Sequence, residues 1–212
     1  MKKIYYVFAL CLFSALWFSS AYGQSYQLTG ADLCSDGSQS TTISLSNSDP
    51  AKYYALFRDN QLLAIQQCAS GTSPNQILFG NFSEPGVYTA AEFNSFKSDV
   101  TPSDGKAIAG QVRINRIPLI YITNKSLVAK SGERFLYQPV SSIKESEFTW
   151  TAKVVEGKLE KFAKTGKELI DLTFVLTDGK PAKVIFSITP IAPSSSGGCM
   201  GDPGDLTVII NP

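Results

Sequence analysis

The sequence predicts an all-β protein built as two consecutive β-sandwiches. Three observations carry this. Short apolar stretches recur between clusters of turn residues, at a spacing of roughly 8–12 residues. Several of them alternate apolar and polar side chains, which buries one face of a strand and leaves the other to water. Beyond the N-terminus no long helix is visible, and neither is a low-complexity tail or an exact repeat.

The chain starts Met1-Lys2-Lys3, continues as an apolar run from Ile4 to Phe18, and reaches the small-x-small site Ala21-Tyr22-Gly23. A basic start, an apolar stretch of that length and a small-residue cleavage site describe a secretory signal peptide. It covers residues 1–23, with cleavage after Gly23. The run is shorter than the roughly 20 residues that span a bilayer. Leu10 is too bulky a neighbour for lipoprotein processing at Cys11, and too little of the run precedes it. Removing 23 of the 212 residues leaves 189, which suits one or two domains of about 100 residues. Loss of Lys2 and Lys3 leaves 17 of 19 basic side chains against 18 acidic ones. A near-neutral chain offers no electrostatic reason to expect nucleic acid or anionic lipid as partner. No other apolar stretch is long enough to span a membrane, so the mature chain is expected to carry no membrane span.

In the first half, "TTISLS" (Thr41 to Ser46) alternates and stops at the turn cluster Asn47-Ser48-Asp49-Pro50. "KYYALFRDNQLLAI" places Asp59-Asn60 between two apolar segments, as at a hairpin tip. Tyr54 and Leu56 share a face of its first strand. Pro85-Gly86 then turns the chain into a strand from Val87 to Phe93. Tyr88, just after that turn, fits the tyrosine corner of immunoglobulin-like sandwiches. A polar stretch from Ser95 to Lys106 leads to "AIAGQVRIN", the last strand before Pro118. The domain boundary falls near Arg116.

The second half opens with "PLIYITN" and "SLVAKSGERFLYQPV". In "EFTWTAKVV" the residues Phe148, Trp150, Ala152 and Val154 lie on one face. Trp150 is the tryptophan left after leader removal, and its alternating strand makes it a core anchor. Leu169 to Leu176 reads as a strand with Ile170, Leu172, Phe174 and Leu176 together, although nearby Lys and Glu allow helix. "TDGK" turns into "AKVIFSITP", with Val184, Phe186 and Ile188 inward, and "LTVII" closes the sheet after a glycine-rich loop.

Two family resemblances follow from these residues. "LCSDG" (Leu33 to Gly37), "ISLSNS", "YYALFRD" and "GTSPNQILFGNFSEPGVYTAAEF" resemble an immunoglobulin-like repeat of large secreted surface proteins in the Bacteroidetes. "KSGERF", "FTWTA" and "VIFSITP…GCMGDPGDLTVIINP" resemble the PKD-like domain of the same bacteria. The resemblance implies an immunoglobulin-like β-sandwich over residues 24–116 and a PKD-like one over 117–212. It also implies a non-catalytic, exported spacer or adhesive module of the cell surface. The alternative is a soluble sandwich protein that binds a cell-surface glycan or protein. No binding residues transfer, and neither a ligand nor an oligomeric state is selected. Three departures stand out: the family's later Gly-Cys, expected near Lys97-Ser98, is missing, Lys130 stands where a cysteine usually precedes the Ser-Gly turn, and Phe186 replaces a tyrosine. The sorting domain that often ends such proteins is not seen before Pro212.

Chemistry is narrowed by composition. The chain has no histidine, which removes Ser-His-Asp and Cys-His catalysis and His-ligated zinc. No enzyme activity and no cofactor or metal are expected. Asp36, Asp49, Asp59, Asp104, Asp178, Asp202 and Asp205 invite a calcium reading, but Asp is also a turn residue and no loop has the needed ligand spacing. The pairs Glu84/Glu92 and Glu145/Glu147 are the nearest to a glycosidase pattern, and no aromatic-lined cleft accompanies them. Asn81 and Asn124 fit glycosylation sequons that carry no meaning in a bacterial protein. Three cysteines remain, at 34, 68 and 199. Cys34 and Cys68 are expected to form a disulfide, Cys68 replacing the partner that the family places elsewhere; two unpaired thiols are the alternative. Cys199 is expected to be a free thiol near Lys130, usable for a disulfide-linked dimer if exposed. A bridge from Cys199 to either of the others would count against both that assignment and the boundary.

Overall fold

A computed structural model describes residues 26–68 and 75–212. The expected leader, residues 1–23, lies outside the described residues. The chain is all-β and forms tandem immunoglobulin-like β-sandwiches. The strands of the first half are β1 (Gln27–Thr29), β2 (Leu33–Ser35), β3 (Thr41–Ser46), β4 (Tyr53–Arg58), β5 (Gln61–Gln67), β6 (Ile77–Phe82), β7 (Gly86–Phe93), β8 (Lys106–Ala107) and β9 (Val112–Arg116). Those of the second half are β10 (Ile120–Tyr121), β11 (Ser126–Lys130), β12 (Arg134–Tyr137), β13 (Val140–Ser141), β14 (Glu147–Glu156), β15 (Thr165–Lys167), β16 (Ile170–Thr173), β17 (Ala182–Ile191) and β18 (Gly204–Asn211). Among the described residues no strand pair joins the two groups.

The first sandwich packs the sheet β1-β3-β6 against β2-β9-β7-β4-β5. Its core holds Ile43, Leu45, Tyr54, Leu56, Tyr88 and Val112, all fully buried. Each such large apolar side chain contributes roughly 1.5–3 kcal/mol. Tyr54 and Leu56 share this core, as alternation requires, yet Ala55 and Phe57 are also fully buried. They belong to a second, smaller cluster with Phe93 and Val100 on the other face of the sheet. The polar stretch after β7 supplies Val100, so β4 is covered on both sides. Asp59 and Asn60 both take positive φ, at 49° and 69°, which is the backbone of a two-residue type I′ hairpin turn. Asp59 also holds the neighbouring strand: its N–H donates to the Val87 carbonyl (3.0 Å), and its Oδ1 accepts from the Val87 N–H (2.9 Å).

In the second sandwich, β11-β18-β17-β14-β15 is the main sheet, and β12-β16 and β10-β13 are two-stranded partners. Phe148, Trp150 and Ala152 point inward, as do Val184, Phe186 and Ile188. The strand expected from Leu169 to Leu176 is shorter, Ile170 to Thr173, but Phe174 is still fully buried. Trp150 lies edge-on to Phe186 with ring centroids 5.6 Å apart. Across the sheet it pairs with Gly166, where a Cβ would overlap the indole ring. A glycine on the edge strand thus makes room for the largest side chain of the core.

Candidate functional site

The candidate site lies at the junction between the two sandwiches. β2 runs parallel to β9, with Cys34 opposite Asn115 and Ser35 opposite Arg116. β9 leads directly into the second sandwich, so Cys34 sits beside the point of crossover. The Ile117 N–H reaches back to the Ser35 carbonyl at 3.4 Å. From the other side comes the glycine-rich loop between β17 and β18. It is folded on itself: Ala192 N–H donates to the Cys199 carbonyl (2.8 Å), and Gly201 N–H to the Pro190 carbonyl (2.8 Å). Its glycines meet the crossover segment. A Cβ on Gly197 would overlap the Asn115 side chain, and one on Gly201 the Pro118 carbonyl. Close backbone approach is what glycine permits and larger residues prevent.

Cys34 and Cys199 are joined across this contact by a disulfide, with Cα atoms 5.7 Å apart. This corrects two expectations, the Cys34–Cys68 bridge and the free thiol at Cys199. It is also the bridge that was to count against a boundary near Arg116, yet among the described residues no sheet contains strands from both sides of that point, so the bond runs between two sandwiches and not within one. The physical reason is position. Cys34 faces the crossover, whereas Cys68 is buried inside the first sandwich among Leu45, Tyr54 and Ile77. Cys199 is also remote from Lys130. Lys130 pairs with Asn211 at the end of β18, and Cys199 precedes its start at Gly204, about 23 Å away at 3.3 Å per residue. Three cysteines allow three pairings, and sequence alone does not choose among them. The signal that could have pointed here was the run of glycines flanking Cys199.

A groove of about 460 Å³ opens beside the junction, with Asp36, Glu84, Arg116, Leu119, Tyr121 and Ser142 among its lining residues. Glu84 is ion-paired with Arg58. The Asp36 carboxyl is held below its usual range by the Ser38 hydroxyl and then by the Ser38 N–H. Leu119 and Tyr121 are exposed. Leu119 and Ser142 exchange two hydrogen bonds of 2.9 Å that brace this wall.

The other singled-out residues have structural work. Tyr88 is fully buried and its hydroxyl donates to the Glu84 carbonyl at 2.7 Å, the hydrogen bond of a tyrosine corner. Asp36, Asp49, Asp59, Asp104 and Asp178 each accept a nearby backbone N–H. Four of these close local turns, and Asp59 ties its hairpin to β7. Glu145 and Glu147 sit at the start of β14 and are exposed, and Glu92 lies within 4.0 Å of Lys52. Asp36 and Asp104 also accept the hydroxyls of Ser38 and Thr101, each within its own turn, and the chain has no imidazole.

Fold and junction together define a tandem-sandwich protein with a covalent interdomain tie. A family model for the PKD-like domain matches residues 129–212. Among solved structures, the chain is similar to DIP-gamma IG1+IG2, with 11% identity and TM-score 0.47 over 89% of this chain and 98% of that one. It is similar to Sidekick-1 immunoglobulin domains 1-4, with 10% identity and TM-score 0.41 over 88% of this chain and 48% of that one. Fibronectin(III)-like modules of Clostridium thermocellum CbhA align with 11% identity and TM-score 0.31, over 87% and 94% of the two chains. At these scores the likenesses carry nothing about function. No curated protein matches the chain. No helix among the described residues is long and apolar enough to cross a membrane.

Proposed function

We propose that this chain is an exported, non-catalytic module of the cell surface, a spacer or adhesive element whose two sandwiches, residues 24–116 and 117–212, act as one stiff unit. The Cys34–Cys199 bridge carries this reading. A bond across a domain junction removes hinge freedom at the point where tandem domains otherwise flex. Structural disulfides persist in oxidising compartments, which suits the leader at Met1 to Gly23 and the resemblance to Bacteroidetes surface proteins. Fractionation of the source cells tests the reading. It predicts a protein beginning at Gln24, accessible to protease added outside the cell; an uncleaved, cytoplasmic protein would refute it.

A second reading, a soluble sandwich protein that binds glycan or protein, draws support from the groove with exposed Leu119 and Tyr121. A glycan array on the mature protein and on its Tyr121→Ala variant separates the two. A hit abolished by Tyr121→Ala favours the second.

A further inference from the structure

The outer face of the main sheet in the second sandwich is open and rich in hydroxyls. β14 and β17 turn Trp150, Phe186 and Ile188 inward, so residues of the opposite parity face out. Register sets Thr149 between Thr189 and Lys167, and Thr151 between Ser187 and Thr165. Lys153 follows on the same face, about 13 Å along β14 from Thr149. Among the described residues no hydrogen bond engages these five hydroxyls.

Lys153 on β14, Lys164, whose carbonyl accepts the Ala152 N–H, and Lys167 on β15 gather at this edge, while residues 158–160 pair with 175–177. From 153 to 167 the chain carries Lys153, Lys158, Lys161, Lys164 and Lys167 against Glu156 and Glu160. All five lysines are exposed. The ion pair formed here among the described residues is Lys183–Glu156 (3.7 Å), which occupies one of the two acids with a lysine from β17. The hydroxyl face itself bears the exposed acids Glu147 and Asp205, so the positive strip that the near-neutral total hides lies at its β15 edge, and like charges held together there attract a polyanion.

We propose that this strip and its hydroxyl face bind an acidic polysaccharide. Ammonium groups take its carboxylates, and Thr and Ser hydroxyls exchange hydrogen bonds with sugar hydroxyls. The surroundings favour this occupant over others. Single-stranded nucleic acid needs stacking aromatics, and the face has none. A membrane-bound segment needs several aromatic or apolar anchors beside its lysines, whereas Phe162, the aromatic of this segment, packs edge-on against Phe174 in the core (5.4 Å) and Val155 is the large apolar side chain it exposes. The proposal deepens the adhesive reading and rests on it for where the polymer is met; binding by the purified protein is measured apart from export, so either can fail alone.

Biolayer interferometry on immobilised polygalacturonate, with neutral dextran as reference, tests it. The mature protein is expected to bind polygalacturonate alone, and more weakly as salt rises from about 50 to about 300 mM. K153Q/K164Q/K167Q should weaken binding about tenfold or more. The arginine triple K153R/K164R/K167R should retain it. A control triple of equal charge loss elsewhere, K97Q/K144Q/K180Q, should change it about twofold at most. Thermal melts confirm that each variant folds. Absence of binding, equal binding to dextran, equal loss in the two glutamine triples, loss in the arginine triple, or tighter binding to phosphatidylglycerol vesicles would each overturn the proposal.

Discussion

Cys34 and Cys199, 165 residues apart in sequence, are bonded across the junction of the two sandwiches. Closing a loop of that length stabilises a chain by about 5 kcal/mol on the chain-entropy estimate. Cys34→Ser and Cys199→Ser should each lower the urea midpoint substantially, and by the same amount. Reductant should bring the wild type to the same value and leave both variants unchanged. A non-reducing peptide map supplies the independent check, with one linked peptide pair containing Cys34 and Cys199.

Tyr88→Phe tests the tyrosine corner. It removes the 2.7 Å hydrogen bond to the Glu84 carbonyl and little else. Leaving that carbonyl without its donor should cost about 1–2 kcal/mol in chemical denaturation. A change within experimental error would show that the hydroxyl is dispensable.

Gly166→Ala should cost about 1–3 kcal/mol, because the new methyl overlaps the Trp150 ring and forces it out of place. The Nε1 of Trp150 has no hydrogen-bond partner in the structure, so Trp150→Phe loses packing and no polar contact. The double variant G166A/W150F should lose less than the sum of the two single changes, since the smaller ring leaves space for the methyl. Additive losses would contradict the close approach.

These three tests separate what was legible in the sequence from what was not. Alternation placed Phe148, Trp150 and Ala152 inward, and the turn before Tyr88 marked its corner, because each signal is local. Ala55 and Phe57 escaped the same logic. Their burial depends on Val100, far along the chain, folding over the outer face of β4. The cysteine pairing escaped for a related reason. The expected pairing lies inside one domain, while the bond depends on how the crossover at Asn115 to Pro118 meets the loop around Cys199. The lysine strip was masked by a total charge that averages over the whole chain.

Alkaline stability reports on Tyr54. Burial above all pushes its hydroxyl from 10.0 up to about 12, despite the hydrogen bond from the Asp49 N–H. The folded state therefore favours the neutral phenol, while the unfolded chain ionises near 10. This contribution is complete below pH 10 and is lost as pH rises towards 12. Denaturation curves should show stability falling across that window, with a shallower fall in Tyr54→Phe. The same slope in both proteins would assign the alkaline loss to other groups.

Small-angle X-ray scattering of the mature protein, oxidised and then reduced, tests the stiff pair most directly. The oxidised protein should scatter as one rigid two-domain body. After reduction, or in the double variant C34S/C199S, both sandwiches should stay folded while the radius of gyration grows and the distance distribution broadens. Identical scattering in the two states would contradict the account, because the bond would then restrain nothing that the junction's other contacts do not already hold.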